Sequence, residues 1–142
     1  MTASKVDAGG ADAGDRQAGG ATAGGKPAGA AGDCQEQLGE FVARMNDLRQ
    51  SLLAGLSYAE YVVRVRAIRD AYEAVPVKQL DAACLDGPAG DAEDAFNQYL
   101  RAANTWGDCA ATAGCAASEV EGKLQKHWKA ASKRLDTAEK ES

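Results

Sequence analysis

With 142 residues and a formal charge of −5, the chain has room for one domain. The acidic excess is modest and spread out, which argues against a general nucleic-acid binder. No segment approaches the roughly 18 consecutive apolar residues needed to span a bilayer as a helix.

Residues 1–33 hold ten Ala and nine Gly and no Leu, Ile, Phe, Trp or Tyr. Such a stretch has nothing large to bury and cannot offset the entropy of ordering its backbone. It reads as a disordered, flexible tether spanning roughly 30 Å on flexible-chain scaling. The chain opens Met1-Thr2-Ala3-Ser4-Lys5 with no apolar h-region. Export is therefore expected to depend on a signal removed ahead of this sequence.

From residue 34 the composition turns helical, with scarce Pro and abundant Ala. Leu38, Phe41, Val42, Met45, Leu48 and Leu52 recur at steps of three and four, predicting a first helix over 34–54. Asp33 is its expected N-cap, with Glu36 three residues on, and Gly55 its stop. Ser57 and Glu60 form a capping box for a second helix. Its buried face is Tyr61, Val62, Val65, Ile68, Tyr72 and Val75. The pairs Glu60–Arg64, Arg66–Asp70 and Arg69–Glu73 belong on its solvent side.

Pro76 removes a backbone donor and disfavours helical geometry at Val75, so a kink or break is expected there. Residues 77–85 still read as helical, with Pro76 suited to opening a short separate helix. Asp86–Gly90 reads as a loop. A third helix then starts at Gly90 or Asp91, with stripe Ala92, Ala95, Phe96, Tyr99, Leu100, Ala103 and Trp106, and stops at Gly107. A fourth starts at Thr112 or at the capping box Ser118-x-x-Glu121. Val120, Leu124, Trp128, Ala131 and Leu135 form its apolar face, while Lys126, Lys129, Lys133 and Arg134 stay solvated. Residues 139–142 are expected to fray. The domain thus reads as an all-α, up-down four-helix bundle over 34–138.

The four cysteines are separated by 49, 24 and 5 residues, too far apart for a zinc knuckle. An even number in a small domain predicts two disulfides and an oxidising compartment. In an up-down bundle Cys34 and Cys84 share one end, and Cys109 and Cys115 the other. Pairing them so avoids a bridge along the bundle, since bridged Cα atoms lie within about 7 Å and a 20-residue helix is about 30 Å long. Strict antiparallel register sets residue 77 opposite Cys34, so the break at Pro76 must bring Cys84 across.

His127, the sole histidine, reads as a helix-surface residue beside Lys126 and Lys129. No nucleophile carries a triad signature. Glu36/Glu40, Asp91/Asp94 and Glu119/Glu121 lie near helix N-termini, where carboxylates complement the dipole. The tether glycines lack the strand–Gly–helix context of a phosphate loop. No metal or cofactor site is expected. Trp106, Trp128 and Tyr99 are the candidate ligand or partner contacts, although core packing accounts for most of the aromatics.

The run Ala102-Ala103-Asn104-Thr105-Trp106-Gly107-Asp108-Cys109, with Cys115 and the later Glu119, Leu124-Gln125, Trp128 and Ala131-Ser132, resembles a group of small exported proteins and lipoproteins of high-GC actinobacteria. The resemblance covers about residues 34–135. It implies export, lipid anchoring and a helical domain. That group brings no established activity, hence no functional residues to transfer. No lipobox cysteine precedes the tether here. The expectation is a monomeric, non-enzymatic binding or interaction module at the cell envelope, secreted or lipid-anchored. The alternative is a small-ligand carrier with an aromatic pocket between helices.

Overall fold

The computed structural model describes residues 30–141 as four long helices with one short helix between the second and third long ones. These are α1 (Ala30–Ala54), α2 (Tyr58–Glu73), the one-turn α3 (Ala82–Asp86), α4 (Pro88–Ala110) and α5 (Glu121–Glu141). Short 3₁₀ turns at Val77–Gln79 and Ala117–Glu119 complete the connections. The expected up-down bundle is therefore the fold. The expected tether lies outside the described residues apart from its last four, Ala30–Asp33, which are helical.

Those four residues move the start of α1 from 34 to 30. Asp33 is consequently in the first helical turn and not at the N-cap. Alanine has the highest helix propensity, and Ala30 and Ala31 carry the helix past the lone Gly32. At the other end Gly55 takes φ 101°, a left-handed conformation that ends the helix at little cost for glycine. Its N–H bonds back to the Ser51 and Leu52 carbonyls.

The capping box at the start of α2 forms as expected. Ser57 Oγ accepts from Glu60 N–H, and Glu60 Oε1 accepts from Ser57 N–H. α2 buries Tyr61, Val65, Ile68, Ala71 and Tyr72, and Val75 is buried just beyond it. Val62, expected inside, is only half-buried. The six charged residues of the three expected α2 pairs all face solvent.

Pro76 produces a break, not a kink. α2 ends at Glu73, and the chain passes through a 3₁₀ turn into α3. Asp81 caps α3 through Oδ1, which accepts from Cys84 N–H at 2.8 Å. The interval read as continuous helix over 77–85 is thus two short pieces joined by the extended Leu80. The expected loop over 86–90 shrinks to Gly87, because Pro88 occupies the first turn of α4, where its missing N–H costs nothing.

Two further boundaries differ from the sequence reading. α4 runs through Gly107 to Ala110. Ser118 lies inside the 3₁₀ turn, and α5 begins at Glu121. At the C-terminus α5 stays helical to Glu141, because buried Ala138 holds its last turn against the bundle.

α1, α2, α4 and α5 close around one core. Its largest fully buried side chains are Tyr61, Tyr99, Phe41, Met45, Leu48, Ile68, Leu124 and Leu135. Fully buried Ala92, Ala95, Ala102 and Ala131 allow α4 and α5 to pack closely along their length. Outside the core, Arg49 on α1 pairs with Asp136 on α5, and Arg134 on α5 with Asp91 on α4. Such exposed pairs contribute about 0–1 kcal/mol each.

Both expected disulfides are present. Cys34–Cys84 joins α1 to α3 with Cα atoms 5.8 Å apart, and Cys109–Cys115 closes the α4–α5 corner at 5.3 Å. The Asp81 cap and the break at Pro76 together bring Cys84 to the start of α1. Cys34, Cys84 and Cys109 are buried, so these bridges sit inside the packing.

Candidate functional site

Of the three residues singled out as candidate contacts, Trp106 and Trp128 meet towards the end of the bundle where α4 turns into α5, and Tyr99 joins them through its backbone carbonyl. Trp106 of α4 lies 5.5 Å from Tyr61, 5.6 Å from Tyr58 and 6.0 Å from Trp128, measured between ring centroids. Trp128 of α5 is 5.7 Å from Tyr61. These separations are those of packed aromatic pairs. The four rings fill the space between α2, α4 and α5, so Trp106 and Trp128 line a filled corner and only part of each indole reaches solvent.

One hydroxyl organises this corner. Tyr61 Oη donates to the Tyr99 backbone carbonyl at 2.8 Å and accepts from Trp128 Nε1–H at 3.0 Å. Three helices are thereby tied through a single fully buried tyrosine. Burial pushes the Tyr61 hydroxyl well above the ordinary tyrosine range, so it stays a neutral donor. Tyr99 is also fully buried, but its own Oη has no hydrogen-bond partner. Burial pushes its pKa up to about 12, partly opposed by the Arg49 charge.

Gly107 has a role that the sequence reading missed. A Cβ on this residue would stand 2.6 Å from Tyr58 Oη. Glycine lets the Tyr58 ring lie against α4 beside Trp106, and the helix continues to carry Cys109 into its bridge. The signal was present as a small residue next to a tryptophan, but its partner Tyr58 lies 49 positions earlier.

His127 is half-buried on α5, with Nδ1 2.9 Å from Gln98 Oε1. Burial, then the Arg101 and Lys126 charges, hold its pKa below the ordinary value. Of the carboxylates at helix starts, Glu36, Glu40, Glu119 and Glu121 are exposed, whereas Asp91 and Asp94 share Arg134, and a hydrogen bond with Asp91 raises the pKa of Glu141. Among the described residues no three His, Cys, Asp or Glu side chains gather in a metal-holding group. All four cysteines are bridged.

The opposite end of the bundle has an opening. A half-open cleft of about 70 Å³ lies between α1, α2, α4 and the connecting segment 74–87. Leu38, Phe41, Tyr72, Val75, Val77 and Leu80 contribute to its walls, and Glu93 is the one charged lining residue. The Tyr72 hydroxyl donates to Glu93 Oε2. Phe41, Tyr72 and Phe96 pack beside it with centroids 5.2–5.7 Å apart. A larger groove of about 290 Å³ runs along α1 past Leu38, Gly39 and Val42 to Glu139. Glu93 comes from the second turn of α4. Its place in the cleft depends on the break at Pro76, which folds Val77 and Leu80 over the bundle end.

Fold and site together define a disulfide-stapled helical bundle with a packed aromatic corner towards one end and a small apolar cleft at the other. Comparison with protein-family models, with curated proteins and with solved structures finds no match to this chain. No helix among the described residues is long and apolar enough to cross a membrane.

Proposed function

We propose that this domain is a non-enzymatic binding or interaction module, exported and associated with the cell envelope. The carrying observation is where its polar and apolar groups lie. Among the described residues no charged side chain is buried, and tyrosines supply the interior hydroxyls. Catalytic sites instead hold mutually perturbing titratable groups in desolvated clefts, whereas the perturbed pair here, Glu141 with Asp91, includes an exposed partner and lines neither opening. Meanwhile Leu53 is 82% exposed and Val63 63% exposed, on consecutive helices, while Trp106 and Trp128 are half-covered. A protein partner that covers these side chains would bury apolar surface that now faces water.

Two disulfides on a domain of this size favour an oxidising compartment outside the cytoplasm. Export and a lipid anchor follow from the resemblance to actinobacterial exported proteins and lipoproteins. The test is a cross-linking pull-down from envelope extract with the chain immobilised through its N-terminal segment. Leu53→Lys and Val63→Lys, both at exposed positions, are expected to abolish capture of the same partner without changing the helical spectrum. Unchanged capture by the double variant would overturn this assignment of the surface.

A further inference from the structure

The cleft at the cysteine-pinned end of the bundle combines apolar walls with a single charge. Glu93 is half-buried, and its carboxylate is drawn to the wall by the Tyr72 hydroxyl. A carboxylate partly withdrawn from water favours a cation beside it. No basic residue lines the cleft. The arginines that form ion pairs among the described residues are Arg44, Arg49 and Arg134, and they go to Glu40, Asp136, Asp91 and Asp94. The Phe41 and Tyr72 rings add aromatic surface, which also attracts cations.

We infer that this cleft binds a small alkylammonium ion, with the charged head at Glu93 and Tyr72 and the alkyl chain against Leu38, Val77 and Leu80. Its size sets the ligand class. The cleft, about 70 Å³, exceeds the space one water needs and is about half the ~150 Å³ that admits benzene. Half of that space holds about three non-hydrogen atoms, so the ammonium head and the first carbons lie inside and the rest of a longer alkyl chain passes out through the mouth. Leu85, 40% exposed at the lining, leaves the mouth open to solvent. Glu93 repels an anion of the same shape, and a neutral alcohol gains only the apolar contact. The expected order is therefore ammonium, then alcohol, then carboxylate. This binding is independent of the protein-partner surface, since either can be absent while the other remains.

The test is an amide-shift NMR titration of the full chain, disulfides intact, at neutral pH and matched ionic strength. The probes are butylammonium chloride, n-butanol and sodium butyrate. Saturable shifts at Tyr72, Val77, Ala89 and Glu93 are expected with butylammonium, about tenfold weaker binding with n-butanol, and none with butyrate. Glu93→Gln keeps an acceptor for Tyr72 and is expected to lower butylammonium affinity to that of butanol. Absence of saturable shifts, equal response to butyrate, shifts scattered over surface carboxylates, or a preference that survives Glu93→Gln would each overturn the inference. The three-probe comparison uses only the unaltered chain, so it decides the matter even if the variant folds poorly.

Discussion

Gly107→Ala separates two roles for this glycine. If it merely weakened the helix, alanine would stabilise the protein by about 1 kcal/mol, the usual propensity difference. The structure predicts the opposite sign. The new Cβ would sit 2.6 Å from Tyr58 Oη but 3.4 Å, an ordinary contact, from Tyr58 Cζ. The Tyr58 ring must therefore shift, which disturbs its packing on Trp106, its neighbour at 5.6 Å. Overpacking of this kind costs about 1–3 kcal/mol. Taking about 2 and subtracting the helix gain leaves a net loss of about 1 kcal/mol. In a Tyr58→Phe background the clashing oxygen is gone, and the same substitution becomes stabilising by about 1 kcal/mol. The pair should thus show a coupling of about 2 kcal/mol. Urea denaturation followed by circular dichroism, with disulfides oxidised, measures all four proteins. Equal effects of Gly107→Ala in both backgrounds would refute the close-approach argument.

The remaining predictions concern the bridges, the connecting segment 74–87 (the strap over the bundle end) and the buried tyrosines. Replacing Cys34 and Cys84 by Ala should cost about 4 kcal/mol on the chain-entropy model, against about 2 for Cys109 and Cys115, because the loops differ in length, 50 against 6; denaturant midpoints of the two double variants give the order. Asp81→Ala removes the cap that positions Cys84 and should cost about 1 kcal/mol, read in the same assay. Tyr61→Phe should cost about 1–3 kcal/mol by leaving the Trp128 N–H unpaired and removing the second hydrogen bond to the Tyr99 carbonyl, which keeps its bond within the helix. Tyr99→Phe should be neutral or stabilising at pH 7, since its hydroxyl has no partner. The Tyr99 pKa is raised in the folded state to about 12. Its contribution is therefore full below the unfolded value near 10 and is lost as pH rises through the folded one. Thermal melts between those values should show wild type losing stability faster than Tyr99→Phe.

Local patterns determined most of the architecture. The stripes of α1, α2, α4 and α5 come from a 3.6-residue period that any helix must obey, so Phe41, Ile68, Phe96 and Leu135 could be placed inside from spacing alone. Ser57 and Glu60 close their box within one turn, and Gly55 needs only its own backbone freedom. The cysteine pairing followed as well, since helix length and disulfide reach leave one arrangement in an up-down bundle. Tertiary structure decided what depends on distant partners. Alpha-helical geometry continues through Gly107 because neighbouring turns support it, and the glycine is needed only where Tyr58 crosses. Tyr61 joins three helices through atoms that sequence places 38 and 67 residues away. Glu93 resembles any carboxylate near a helix start until the Pro76 break folds the strap across it. Periodicity reports which face of a helix is buried, whereas the partner that covers that face depends on how the helices pack.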